Sequence, residues 1–156
     1  MLEVLSRHRV SYIVVGGVAA VLSGAPVNTL DTDVLVERSS ENVARLLAAL
    51  QELGAIYRDP AKRRIEPTMD RLSGLGQQRF VTRVGPLDVL GTVGSQRTYE
   101  ELHPRSQEVP LRGMVVRVLA LEAVIQSKEE ADRPRDRAVL PVLRETLAAR
   151  QRRGEK

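Results

Sequence analysis

The sequence predicts one α/β domain of the α+β kind: a mixed β-sheet flanked by helices, with a helical C-terminal segment. Three observations lead there. Short β-branched runs alternate with helical stretches in the first half, two pairs of strand-like runs around glycine turns follow, and the last third keeps helical spacing. With 156 residues the chain is one domain long. A chain of this size buries roughly 68–70% of its unfolded surface in a single core. The expected boundaries are a single domain over 1–150, its helical part over about 119–150, and a basic tail over 151–156.

A short helix is expected over 2–9. "VSYIVVG" from Val10 is a β-branched run that Gly16 ends, which predicts a buried strand. Residues 17–23 are small and apolar, with Ala20 and Gly24 four apart, as in a helix packed close on a sheet; Gly24, Ala25 and Pro26 stop it. "TDVLVE" is the second strand. Ser39 and Ser40 are cap candidates for a helix whose Val43, Leu46, Leu47, Leu50 and Leu53 recur at helical spacing, closed by Gly54. Residues 55–78 read as a polar, Arg-rich connection containing Pro60, Pro67, Gly74 and Gly76. "QRFVTRVGPLDVLGTV" predicts two antiparallel strands about a Gly85-Pro86 turn, and "QEVPLRGMVVRVLA" a second hairpin turning at Gly113. Helices follow over 119–131 and from 135 to about 150, broken at Arg133-Pro134. Pro134 suits a first helical turn, whereas Pro141 lacks a donor inside the last helix and is expected to bend it.

Hydrophobic residues make up 42% and charged residues 28%, but aromatics only 3%, so the core must be aliphatic. No apolar run approaches the ~20 residues of a membrane span, and Glu3, Arg7 and Arg9 interrupt any signal-peptide pattern, which gives a cytoplasmic reading. The absence of cysteine excludes disulfides, thiolate zinc sites and a cysteine nucleophile. His8 and His103 are far apart and are expected at the surface. The net charge of +4 permits an anionic ligand without requiring one. Lys62, Arg63 and Arg64 form one basic cluster, and Arg150, Arg152, Arg153 and Lys156 a tail expected to be mobile and dispensable. No aromatic residue is interleaved with either, so a nucleic-acid-binding module ranks last among the functional readings.

Asp31 and Asp33 pose the chemical question. Side chains alternate along a strand, so these two carboxylates share a face while Thr32 and Val34 take the other. Burying like charges is costly without a cation between them. Mg²⁺ (or Mn²⁺), a hard ion that prefers oxygen ligands, is a natural answer. Asp88, in the apolar "PLDVLG", is the candidate third ligand, and strand order decides whether it reaches. The Gly16-Gly17 pair at a strand-to-helix turn allows close backbone approach to a phosphate, or serves only as a tight turn. Lys128 is either a phosphate-neutralising charge or a solvated partner of Glu129 or Asp132; Arg133 and Asp136 read as caps of the last helix.

The ordered set of Gly16, Gly17, Asp31, Asp33 and Asp88 resembles the nucleotidyltransferase superfamily that includes the β-type DNA polymerases, and more narrowly its small bacterial minimal nucleotidyltransferases and abortive-infection toxins. "LEAVIQSKEEADRPRDRAVLPVL" continues the likeness, so that it spans about 10–143. The resemblance implies a nucleotidyltransferase-like sheet and Mg²⁺-dependent transfer of a nucleoside monophosphate from an NTP, such as ATP, to a hydroxyl of a protein, RNA or small molecule such as an aminoglycoside. A toxin–antitoxin or phage-defence setting, with a cognate toxin or antitoxin as partner, comes with it. It further implies that Asp31, Asp33 and Asp88 are metal-binding and catalytic, with Asp88 able to take the proton, and that Gly16, Gly17 and Lys128 bind nucleotide. Two departures stand out: Pro26, Val27, Asn28 and Thr29 occupy a segment where many relatives carry an arginine, and Thr32 stands where an apolar residue is usual. A catalytically degenerate fold that binds a partner protein is the alternative, and the three retained aspartates weigh against it.

Overall fold

In a computed structural model, which describes residues 1–74 and 76–154, the β-branched run forms β1 (Tyr12–Val15), every residue of it buried. α1 (Leu2–Arg7) precedes it and α2 (Gly16–Leu22) follows without a spacer. β2 (Thr32–Val36) returns antiparallel to β1, from Tyr12 opposite Val36 to Val15 opposite Asp33. α3 (Ser40–Glu52) starts as expected: the Ser39 hydroxyl accepts a hydrogen bond from the Asn42 backbone N–H. Asn42 is itself buried, its side chain accepting from Ser11 N–H and donating to the carbonyls of Ser11 and Glu37, so a polar group pins the helix to the ends of β1 and β2.

The connection over 55–78 carries more structure than its composition suggests. It contains β3 (Ile56–Tyr57) and the single turn α4 (Met69–Leu72). β3 pairs with β4 (Gln78–Thr82), and β4 with β5 (Gly85–Leu90). The first hairpin turns at Arg83-Val84 rather than at Gly85-Pro86: Thr82 pairs with Gly85, whose φ of +120° only glycine adopts readily, and Pro86 already lies in β5. After α5 (Tyr99–Leu102) and a short 3₁₀ turn, β6 (Ser106–Leu111) and β7 (Met114–Leu119) form the second hairpin. Its Arg112-Gly113 turn has positive φ at both residues, the type I′ geometry that matches strand twist.

The strands form one mixed sheet in the order β3-β4-β5-β2-β1-β7-β6. β2 runs parallel to β5 and β1 parallel to β7, and these central strands are the buried ones. α6 (Leu121–Ala131) and α7 (Pro134–Arg152) close the chain. The core is aliphatic, with Phe80 the one phenylalanine among Ile13, Leu35, Leu46, Leu87 and Leu143. α7 is continuous through Pro141 and runs to Arg152, past the expected limit at 150. Arg152 pairs with Glu145, and Arg150 donates to the Ser23 carbonyl, so the start of the basic segment is tied down; positions 155 and 156 lie outside the described residues. His8 is half-buried against Glu52, and His103 lies beside the Tyr99 ring. Among the described residues no helix is long and apolar enough to cross a membrane.

Candidate active site

The parallel pairing of β2 and β5 sets Asp88 level with Asp33 on the adjacent strand. Asp31 sits at the bend just before β2, half-exposed, while Asp88 is buried. One Asp88 oxygen, Oδ2, accepts from the Gln77 amide at 2.9 Å; the other, Oδ1, is buried without a hydrogen-bond partner. A cation does stand between the carboxylates, and it is Arg58. Its Nη2 lies 3.7 Å from Asp88 Oδ1 and 3.8 Å from Asp31 Oδ1. Arg79, the cross-strand partner of Asp88, brings Nε to 3.9 Å from Asp88 Oδ2. These are ion pairs beyond hydrogen-bonding distance, so the carboxylates are compensated only in part. Burial, with Asp88 and Asp31 nearby, pushes the Asp33 carboxyl up to about 6. Burial also raises Asp88, with Arg58 and Arg79 opposing.

The glycines belong to the same cluster. Gly16 has φ of +63°, and a Cβ there would lie 2.5 Å from Asp33 Oδ2. A Cβ on Gly17 would lie 2.7 Å from the hydroxyl of Thr29, which donates to the Asp31 carbonyl. Both glycines therefore make room for the segment that carries the aspartates, a reason for them that the sequence does not reveal. From the helical side, Asp132 at the C-cap of α6 takes a left-handed conformation and turns the chain into α7. This sets Lys128 Nζ 3.2 Å and Arg133 Nε 2.6 Å from the buried Asp136. Burial works against the charged form of Asp136, but the hydrogen bonds from Arg133 and Lys128 outweigh it and hold the carboxyl below its ordinary value. Asp136 is thus the anchor of an ion cluster rather than a simple cap. Lys128 is not the solvated partner of Glu129 or Asp132, which pair with Arg144 and Arg137.

Gly16, Gly17, Asp31, Asp33, Asp88 and Lys128 all line one cleft of about 870 Å³. Arg58, Gln77, Arg79 and Arg135 line it too and were not selected from the sequence. Arg58 lies in the apparent connection, one residue beyond β3, where no periodicity marks it. Alternation in "QRFVT", with Phe80 buried, puts Arg79 on the opposite face, but only the register shows that Asp88 is its neighbour.

Among the described residues no three acidic or histidine side chains are gathered as a ready-made metal cage. The donor set nevertheless suits a hard divalent cation. It offers an unpartnered buried oxygen on Asp88 and carboxylates whose raised affinity for protons is relieved by added positive charge. The family model for aminoglycoside-2''-adenylyltransferase matches residues 1–140. The chain belongs to that nucleotidyltransferase family. The match takes in every residue placed in the cleft except Leu143. No curated protein matches the chain. Solved structures share the fold. Lincosamide antibiotic adenylyltransferase LnuA, solved with lincomycin bound, has a TM-score of 0.62 at 14% identity over 92% of this chain and 91% of that one. ANT(2")-Ia in complex with adenylyl-2"-tobramycin has a TM-score of 0.60 at 16% identity, over 96% and 87%. A Thermotoga maritima protein classed as a nucleotidyltransferase has a TM-score of 0.58 at 17% identity, over 89% and 86%.

Proposed function

We propose that this chain transfers a nucleoside monophosphate from an NTP to a hydroxyl of a small-molecule acceptor, with Asp31, Asp33 and Asp88 holding the divalent metal, Mg²⁺ or Mn²⁺. The observation that carries this is the register of Asp33 with Asp88 in a cleft that also contains Asp31, the glycine turn and Lys128. The metal, when bound, neutralises phosphate charge and lowers the pKa of the attacking hydroxyl.

The chain's own residues supply the rest. The acceptor oxygen attacks the α phosphorus, the bond to the bridging oxygen of pyrophosphate breaks, and pyrophosphate leaves with that electron pair. Asp88, level with Asp33 in the cleft, takes the hydroxyl proton. Gly16 and Gly17 line the cleft beside Asp33, and their bare backbone is the surface against which the triphosphate would lie. Lys128, fixed by Asp136, offers its remaining N–H donors to the phosphates as a point charge. The antibiotic adenylyltransferases of like fold and the family name support a small-molecule acceptor over a protein or RNA. A toxin or antitoxin partner has no supporting observation.

The degenerate reading draws on Arg58, whose guanidinium compensates Asp31 and Asp88 in part without any metal. Two measurements decide. Mg²⁺ or Mn²⁺ should raise the melting temperature of the wild type, because a ligand of the folded state stabilises it by mass action, and D31N/D33N should abolish the rise. Labelled ATP with Mg²⁺ should label an acceptor in a small-molecule extract. A normal metal response in the double variant would move the site elsewhere, and nucleotide binding without transfer would favour the degenerate fold.

A further inference from the structure

The cleft has two cationic walls on either side of its aspartates. On one, Gly16 packs against Asp33, and Lys128 and Arg135 are the cations that Asp33 feels. On the proposed reading this wall takes the triphosphate. The other wall surrounds Asp88, the proposed proton acceptor, and so faces the acceptor molecule. Its charged groups are Arg58 and Arg79, with side chains 39% and 50% exposed. Neither guanidinium makes a hydrogen bond among the described residues; each has only the long ion pairs to aspartate. Their planar forks are therefore free to grip an oxyanion.

With Asp31, Asp33 and Asp88 taken up by the metal of the proposed reading, nothing else on this wall suits a polycation. Besides the three site aspartates, the only carboxylate lining the cleft among the described residues is Asp136, sealed by Lys128 and Arg133. The acidic residues next along the chain each have their own arginine: Asp59 has Arg63, Glu129 has Arg144, Glu130 has Arg97 and Asp132 has Arg137. An acceptor bearing several ammonium groups would meet two guanidinium ions with no carboxylate left to receive it, a repulsion that selects against it.

Resting on the nucleotidyl-transfer reading, we infer that the acceptor is an anion: a hydroxyl compound with a phosphate or carboxylate near its reacting hydroxyl, gripped by Arg58 and Arg79. An aminoglycoside is the wrong charge for this chain, whatever its relatives modify.

The test uses the full chain saturated with Mg²⁺ and a non-hydrolysable ATP analogue, titrated calorimetrically at low salt with ribose 5-phosphate, ribose and tobramycin. Ribose 5-phosphate should bind at least tenfold tighter than ribose, and tobramycin should not bind. A short oligoribonucleotide with a free 3′ hydroxyl, titrated in parallel, tells a nucleic-acid source of the anion from a small molecule. R58Q/R79Q should lose the preference for ribose 5-phosphate while still binding the ATP analogue. R79Q alone, on a half-exposed strand residue, should lose part of it. Tobramycin binding tightest, ribose 5-phosphate binding no better than ribose, or a preference unchanged in both variants would overturn the inference. Failure of the wild type to bind the ATP analogue would count instead against the nucleotidyl-transfer reading.

Discussion

Asp33 sits where neighbouring carboxylates and burial both disfavour its charge, and that has a measurable signature in the metal-free protein. Its carboxyl titrates at about 6 when folded against an ordinary 3.8. Between these values the folded state holds more protons, so stability falls as pH rises through this window and the loss is complete above it. Asp33→Asn should therefore be more stable than wild type at about pH 7.5, by about 1–2 kcal/mol after discounting for solvent screening, and lose that advantage below about pH 4. Urea denaturation at both pH values checks this, and an advantage at low pH only would show the sign to be wrong. Gly16→Ala should be costly twice over. The left-handed backbone costs about 1–2 kcal/mol for a side chain, and the new Cβ displaces Asp33, so the metal-induced melting shift should shrink along with the melting temperature. Asp88→Asn should keep ATP binding but slow transfer by about 100-fold or more, the scale of removing a positioned base. Transfer near wild type per folded molecule would return Asp88 to a structural role.

Between elements, the α6–α7 junction depends on one buried carboxylate. Removing Asp136 leaves Lys128, largely buried, without its carboxylate, while the half-exposed Arg133 turns to water, so the cost stays below the ~3–5 kcal/mol of breaking a fully buried pair. Asp136→Ala should therefore destabilise far more than Arg137→Ala, whose partner Asp132 is exposed. Equal losses in thermal denaturation would mean that the two pairs are equivalent. The segment after β5 is held in a similar way: Glu130 of α6 accepts from the Ser95 backbone and pairs with Arg97, while Thr92, Val93, Gly94 and Gln96 line the cleft. Arg97 keeps the Glu130 carboxyl down at about 2, so this clamp stays charged throughout the neutral range. Glu130→Ala should raise amide exchange in 93–97 selectively, and protection equal to wild type would show that the clamp is dispensable.

For the whole molecule, the sheet order brings together pieces distant in the chain. Parallel pairing of β2 and β5 joins Asp33 to Asp88, and antiparallel β4 and β3 add Arg79 and Arg58. The expectation of a dispensable tail takes a finer form here. Truncation after Arg153 should leave the melting temperature unchanged, whereas truncation after Ala149 removes the Arg150 hydrogen bond to Ser23 and a helical turn, and should cost about 1 kcal/mol.

Local pattern by itself determined β1, β2, α3, the second hairpin and the helical C-terminal third, because alternation, 3.6-residue spacing, caps and glycine turns act within a few residues of each other. It also picked out the aspartates, since a charge in a β-branched run is conspicuous wherever the chain later goes. Only the tertiary structure decided that Asp88 lies level with Asp33, that the apparent connection delivers Arg58, and that Lys128 is locked to Asp136. Register and strand order depend on contacts between residues far apart in sequence, and no local propensity encodes which strand lies beside which.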